Sequence, residues 1–328
     1  MAEQKRLNFS TSSIKIILSK RMEGDGMITI KRMSDCTFAE VTKAWNRGFE
    51  GYFIPIVMTE EMLVQRLGSE GYALSLSVVA FDGTEPIGLV ASGLRTIGGQ
   101  KVAWNGGTGV ATEYRRQGVG RQLIDATLAL YQEAGVEVAT LEAMSQNSKA
   151  IALYEQKGYE VVDRLLFWQR SGPLPEHAFH APTQSDYRIR GVLAQEVAAL
   201  PFYAGDVAWQ NQWQSLRDAQ ALVVEDRRGQ AVGYAMYKTM VNEAGQVNAV
   251  VLRQCVAQPD HEDALGILNV ALAHVFAPYE RDCRRATFNL RATEGLLLDA
   301  LEAAGFGPSE TEQVYMVKQM KAAEQVGQ

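Results

Sequence analysis

The chain has 328 residues, with 32 basic against 38 acidic side chains and a formal net charge of −6. That balance argues against general nucleic-acid binding and favours cationic partners such as amines. With 47% apolar and 21% charged residues, the composition is that of an ordinary globular protein of about two domains.

Cys36, Cys255 and Cys283 are scattered and form no Cys-x-x-Cys pair, so they read as reduced thiols of a cytoplasmic protein. No apolar run is long enough to span a bilayer. Residues 1–26 read as an extension before Met27. Within them Ile14–Leu18 is too short, and too interrupted by Lys15, for a signal segment. An arm, an upstream translation start and an expression remnant all remain open for this extension.

Met27–Met33 alternates as a first strand. Ser34 or Asp35 is placed to cap a helix on which Phe38, Val41 and Trp45 share a face. The aromatic loop Phe49–Pro55 follows, and Thr59 caps a second helix through Leu67. Leu76–Phe81 and Ile87–Thr96 form a hairpin around Asp82–Pro86. Lys101–Val110 is the next strand. Gly106 and Gly107 inside it mark a bulge or close backbone approach, or relieve packing.

The organising stretch is Val110–Tyr159. A strand runs into Arg115-x-x-Gly118-x-Gly120 and then a helix from about Val119. Val119, Leu123, Ala126 or Thr127, and Leu130 recur at helical spacing, and Gly135 stops the helix. The first amides of a helix have no partner within it and form a ready anion site, here ringed by Arg115, Arg116 and Arg121. No Gly-Lys-Ser/Thr follows, so this is not a P-loop, and it is not a Gly-x-Gly-x-x-Gly dinucleotide loop. Val136–Ala143 is the fifth strand and Asn147–Lys157 the next helix. On that helix Asn147, Ala150, Ile151 and Tyr154 share a face, and Gly158 ends it. Val161–Arg170 then completes the N-terminal sheet.

The loop resembles the acyl-CoA pyrophosphate loop of the GCN5-related N-acetyltransferase (GNAT) superfamily. Asn147, Ala150, Leu153, Tyr154, Gly158 and Tyr159 stand where that family's second motif has Asn, Ala, an apolar residue, Tyr, Gly and an aromatic. The resemblance implies acetyl-CoA as co-substrate and no metal. It gives the pyrophosphate to Gln117, Gly118, Val119, Gly120 and Arg121 with Arg115 and Arg116, and the pantetheine arm to the main chain of Val110, Ala111 and Thr112. Asn147 and Ala150 are its further cofactor contacts. It makes Tyr154 the acid that protonates the leaving thiol. In the variant found in ribosomal-protein alanine acetyltransferases, the Glu five residues before the Asn is the base. Here that is Glu142, in Leu141-Glu142-Ala143-Met144, which keeps the Glu and lacks the Arg. Glu50, Tyr52 and Asn105 become acceptor contacts. Glu113, beside the loop, reads as solvated or capping.

Ser171–Asp186 holds Pro173, Pro175 and Pro182 and reads as a linker over 171–185. His177 and His180 there have no further ligand nearby and make no metal site. Residues 186–320 repeat the first half at an offset of about 146 residues, as a tandem duplication does. The repeat has Leu301 for Tyr154, Glu294 for Asn147, Asn289 for Glu142 and His261–Gly266 for the loop. Glu262 and Asp263 there would repel a pyrophosphate. Arg281, Arg284 and Arg285 read as a solvated helix end or a docking patch.

The expected architecture is α/β: two tandem GNAT folds, each a mixed, mostly antiparallel twisted sheet with strands 4 and 5 splayed and flanking helices. The domains are a catalytic one at 27–170 and a degenerate one at 186–320, followed by a tail at 321–328. The expected activity is acetylation of a primary amine on a small molecule or peptide, such as an antibiotic in self-resistance. A protein N-terminus is the alternative acceptor, and a non-catalytic acyl-CoA sensor the alternative role. No nucleic acid or membrane partner is expected, and the chain is expected as a monomer or homodimer.

Overall fold

The computed structural model describes residues 20–21, 27–52, 57–179 and 187–320. Most of the N-terminal extension, Phe53–Ile56 of the aromatic loop, His180 with the end of the linker, and the tail lie outside the described residues. Two compact units divide the chain: residues 1–63, 74–91 and 107–130, and residues 64–73, 92–106 and 131–328.

In the first unit β1 (Lys20–Arg21), β2 (Met27–Arg32), β3 (Val78–Asp82) and the first part of β4 (Glu85–Ile97) pair antiparallel in that order. Gly83, at φ 59°, makes the β3–β4 turn. Helix α1 (Phe38–Gly48) starts later than expected, because Thr37 and Glu40 form its capping box. Glu40 N donates to Thr37 Oγ1 at 3.2 Å and Thr37 N to Glu40 Oε2 at 2.7 Å. Ser34 and Asp35 lie in a short 3-10 turn instead. The buried face is Val41, Ala44, Trp45 and Gly48, and Phe38 stays 46% exposed. Thr59 caps α2 (Glu60–Glu70) as expected, accepting from Met62 N at 3.2 Å.

The C-terminal end of α1 packs on bare backbone. A Cβ on Gly48 would lie 2.8 Å from the Gly109 carbonyl carbon, and one on Gly88 2.7 Å from Gly109 O. Gly109 belongs to β5 (Gln100–Val110). Helix α3 (Val119–Glu133) buries Val119, Leu123, Ile124, Ala126 and Leu130, with Leu123 over Gly88.

In the second unit the first part of β5 pairs parallel with β6 (Val138–Met144) from Val102↔Val138 to Asn105↔Leu141. Gly106, the next residue, relieves packing: a Cβ there would lie 2.4 Å from the Trp104 ring and 2.7 Å from Tyr72. After β6 come α4 (Ser148–Gln156), β7 (Glu160–Arg170), β8 (Arg188–Val192), α5 (Ala194–Ala198), β9 (Gln220–Glu225), β10 (Ala231–Val241) and β11 (Val247–Ala257). Then follow α6 (Ala264–Phe276), β12 (Arg284–Thr287), β13 (Leu290–Arg291), α7 (Gly295–Ala303) and β14 (Gly307–Gln319).

The strand order here is β6-β14-β7-β12-β11-β10-β9-β8. It corrects the expectation that β7 closes the N-terminal sheet. β14 lies between β6 and β7, antiparallel to both, with Tyr315 opposite Glu142 on one side and Asp163 on the other. β7 meets β12 and β13 along its other edge. The two repeats have exchanged their last strands. Exchange is open to them because β7 and β14 are equivalent and offer the same backbone edges.

The repeat itself is plain in the elements. β10, β11, α6, α7 and β14 follow β4, β5, α3, α4 and β7 at an offset of about 146 residues. Helix α6 is apolar nearly all round, and its Ile267, Leu268, Ala271, Leu272 and Phe276 fill a core with Leu222, Val250 and Phe306. The linker is less of a linker than its prolines imply, since Leu174 and Phe179 are buried in that same core. Arg285 is not part of a docking patch: it is 1% exposed, and its guanidinium donates to the carbonyls of Phe276, Gly172, Arg281 and Pro278 at 2.7–3.1 Å.

Candidate active site

The glycine-bearing loop lies in the first unit. After Val110 the chain makes one 3-10 turn at Thr112–Tyr114, then reverses through two left-handed residues, Arg116 at φ 65° and Gly118 at φ 84°. Nothing lies within 4 Å of a Cβ built on Gly118, so the loop faces open space there. The ladder of α3 opens with Gln122 N donating to Gly118 O at 3.1 Å. Its first turn carries no acidic side chain, so the positive end of the helix dipole is uncompensated by its own sequence. Val119 is buried, Gly120 partly buried, and Thr112, Gln117 and Arg121 exposed, with Ala111 buried beneath them.

Polar bonds fix the loop. Arg115 Nε donates to Val110 O at 2.8 Å, and its Nη2 donates to the carbonyls of Gly48 (3.2 Å) and Glu50 (2.7 Å). The guanidinium therefore straps the loop to the end of α1. Gln117 Nε2 donates to Glu113 O at 2.6 Å, and Tyr114 OH to Asp82 Oδ2 at 2.9 Å. Glu113 is paired rather than merely solvated: Arg47 of α1 bridges it to Glu85. Of the expected acceptor contacts, the Glu50 side chain is exposed, and Tyr52 packs edge-on against Phe49, 5.3 Å between ring centroids.

Glu142, Asn105, Asn147, Ala150 and Tyr154 lie in the second unit. Asn147 caps α4, its side chain accepting from Ala150 N at 3.3 Å. Tyr154 is buried and meets Tyr159 edge-on at 6.0 Å. Asn105 is buried where the β5–β6 pairing ends.

Glu142 is no loose strand-end carboxylate. Its Oε2 accepts from Trp104 Nε1 at 2.6 Å and its Oε1 from Trp209 N at 3.1 Å. Burial pushes its carboxyl up to about 7, and the two donors oppose that rise. Around it Tyr72, Trp104 and Trp209 stack face to face with 5.3 Å between successive centroids. Arg95 covers the outer face of Trp209, 3.8 Å from its centroid. Sequence reading missed Trp104, Trp209 and Arg95. One local sign of them is Gly93 inside β4, where a Cβ would lie 2.6 Å from the Trp209 ring.

The repeat carries different groups at the matching places. Leu301 is fully buried, and Asn289 is buried at φ 50°. Burial pushes the Glu294 carboxyl up to about 7. The N-terminus of α6 is capped by its own anion: Asp263 accepts from Gly266 N at 3.2 Å and from Tyr187 OH at 2.8 Å. Asn211 Nδ2 ties the carbonyls of Phe288 and Asn289 at 2.6 and 3.2 Å. Among the described residues no helix is long and apolar enough to cross a membrane, and no group of three or more His, Cys, Asp or Glu is placed to hold a metal.

Residues 38–159 match the acetyltransferase (GNAT) family. No curated protein sequence matches the chain. Among solved structures, a GCN5-related N-acetyltransferase from Sphaerobacter thermophilus aligns over 89% of this chain and 95% of its own, with TM-score 0.60 and 16% identity. A tandem GNAT protein from the clavulanic acid biosynthesis pathway aligns over 90% of this chain and all (100%) of its own, with TM-score 0.57 and 16% identity. A GCN5-related glucosamine N-acetyltransferase region in a fungal multi-domain GH3 beta-N-acetylglucosaminidase reaches TM-score 0.65 at 14% identity, over 90% of this chain and 39% of that one. At such identities the likeness is one of fold, and the fold is GNAT-like in tandem. Over residues 38–159 the chain is thus similar in sequence to the acetyltransferase (GNAT) family, and in fold to tandem GNAT structures.

Proposed function

We propose that the chain is an acetyl-CoA-dependent N-acetyltransferase acting in the cytoplasm on a primary amine of a small molecule or peptide. The carrying observation is Glu142: a carboxylate at the family's base position, held by two donors, with its pKa raised to about 7. A base poised near neutrality is what deprotonating an amine requires. In this reading the amides of Gln117–Arg121, Arg116 and the α3 N-terminus hold the pyrophosphate. Arg115 shapes that loop, because its Nε and Nη2 already serve Val110, Gly48 and Glu50. The main chain of Val110–Thr112 pairs with the pantetheine arm and offers an amide to the oxyanion.

The reaction balances with two side chains. Glu142 takes a proton from the amine, whose nitrogen bonds to the thioester carbonyl carbon. The C–S bond breaks, and Tyr154 gives its phenolic proton to the departing thiolate. The products are the acetamide and free CoA thiol, and proton exchange with solvent restores both residues. The net negative charge and the tandem layout support a small amine, with antibiotic self-resistance as one setting. The placement of Glu142 five residues before Asn147 supports a second reading, a protein N-terminus as acceptor.

Calorimetry with acetyl-CoA on wild type, Gly120→Glu and Tyr154→Phe tests this. One site per chain is expected, lost in Gly120→Glu and kept in Tyr154→Phe, with thiol release from an amine panel abolished or strongly slowed in Tyr154→Phe. Two sites would mean that the repeat also binds acetyl-CoA. No binding would end the transferase reading.

A further inference from the structure

The Glu142 carboxylate poses a question that the base role alone does not answer. Its two donors, an indole and a main-chain amide, are neutral. A buried carboxylate whose direct partners are neutral is costly, and a glutamine would offer one oxygen to such donors without the charge. The arrangement therefore favours a group whose ionisation is used.

The two donors come from different parts of the duplicated chain. Trp104 lies on β5 of the first repeat, and Trp209 in the segment between α5 and β9 of the second. Each addresses a different oxygen, so the carboxylate cannot rotate without losing one bond. The Trp209 amide is placed by its own ring. That ring stacks on Trp104 at 10° and donates through Nε1 to Glu70 O at 2.7 Å. Arg95 then clamps the segment: it donates to Trp209 O and Gln212 Oε1, both at 2.9 Å, and to Ser215 Oγ at 2.7 Å. Other titratable groups also face the carboxylate. Glu70 raises its pKa, Arg95 interacts with it favourably, Tyr72 with Arg66 beside it approaches from the end of α2, and Tyr315 opposes it on β14.

We propose that Trp104 and Trp209 are positioning residues for the Glu142 base, and that the second repeat takes part in catalysis by supplying the Trp209 main-chain amide. This inference rests on the transferase reading above. It gives the repeat a chemical task where the sequence offered only support or pocket closure.

Trp104→Phe in the full chain keeps an aromatic ring in the stack and removes the indole donor. A donor to a carboxylate favours its ionised form, so its loss raises the pKa by about one unit. The acidic limb of the kcat/KM profile should move up by that amount, giving roughly a tenfold loss at pH 6.5 and near-recovery at pH 9. Arg95→Gln, which frees Trp209 and removes a charge, should move the limb the same way. A second readout needs no turnover. Tryptophan emission of the resting protein should show a transition near pH 7, abolished in Glu142→Gln and shifted upward in Trp104→Phe. Transfer with a limb unmoved by Trp104→Phe, or a loss equal at all pH values, overturns the positioning role. The expected emission shifts without acetyl transfer to any amine would count against the transferase reading alone.

Discussion

Removing the second repeat should destroy the first. A fragment of residues 27–170 keeps β6 and β7 but loses β14, which pairs with both over Gly307–Gln319. Roughly a dozen ladder hydrogen bonds go with it, at about 1 kcal/mol net each. Met316, fully buried, and Tyr315, 6% exposed, leave as well, and burial of one large apolar side chain is worth about 1.5–3 kcal/mol. Together these terms come to about 15–18 kcal/mol, at or above the 5–15 kcal/mol by which a whole domain is ordinarily stable. The fragment should therefore be insoluble, or should dimerise with the β7 of each partner in the place of β14. Size-exclusion chromatography with light scattering gives the mass, and a circular-dichroism melt gives the cooperativity. A monomer that melts cooperatively within a few degrees of the full chain would refute the reasoning, and full turnover by that monomer would also remove any catalytic part for the repeat.

Gly109→Ala should lower the melting temperature, because its Cβ would meet the Gly48 backbone at 2.9–3.0 Å and such overpacking costs about 1–3 kcal/mol. An unchanged melt would mean that α1 lifts freely from β5. Glu294→Gln should stabilise the protein at high pH only. The folded state holds this proton up to about pH 7, against 4.5 for a free glutamate, so the stability tied to it is complete below about 4.5 and is lost as pH rises through 7. Thermal melts should put the variant above wild type by a few degrees at pH 8 and level with it near pH 4.5; equal melts at pH 8 would refute the assignment.

Much of this was legible because it is local. The loop from Arg115 to Gly120 declares itself through glycine spacing, and the α3 face through the recurrence of Val119, Leu123 and Leu130. The duplication shows in an offset that the elements keep. Thr37 was missed as a cap because Ser34 and Asp35 compete for the role, and only the Glu40 carboxylate three residues on decides it. The strand exchange left no sign, since β7 and β14 have equivalent edges and alternation does not name a partner. The partners of Glu142 were invisible for the same reason: Trp209 lies 67 residues from it in the chain, and nothing in the spacing ties an indole to a distant carboxylate. Arg285 was misread because a run of arginines looks solvated until the carbonyls that fill its fork are seen.

The exchanged strand also sets a clock. β6 ends at Met144, but its partner is complete only at Gln319. At ribosomal speeds of about 5–20 residues per second, roughly 10–35 s separate the two during synthesis. For that interval the nascent chain carries an unpaired edge beside Glu142, the kind of edge that seeds aggregation. The N-terminal half thus emerges first and matures last, and a ribosome that stops between β7 and β14 releases a chain whose signature motifs are all present and whose sheet is open.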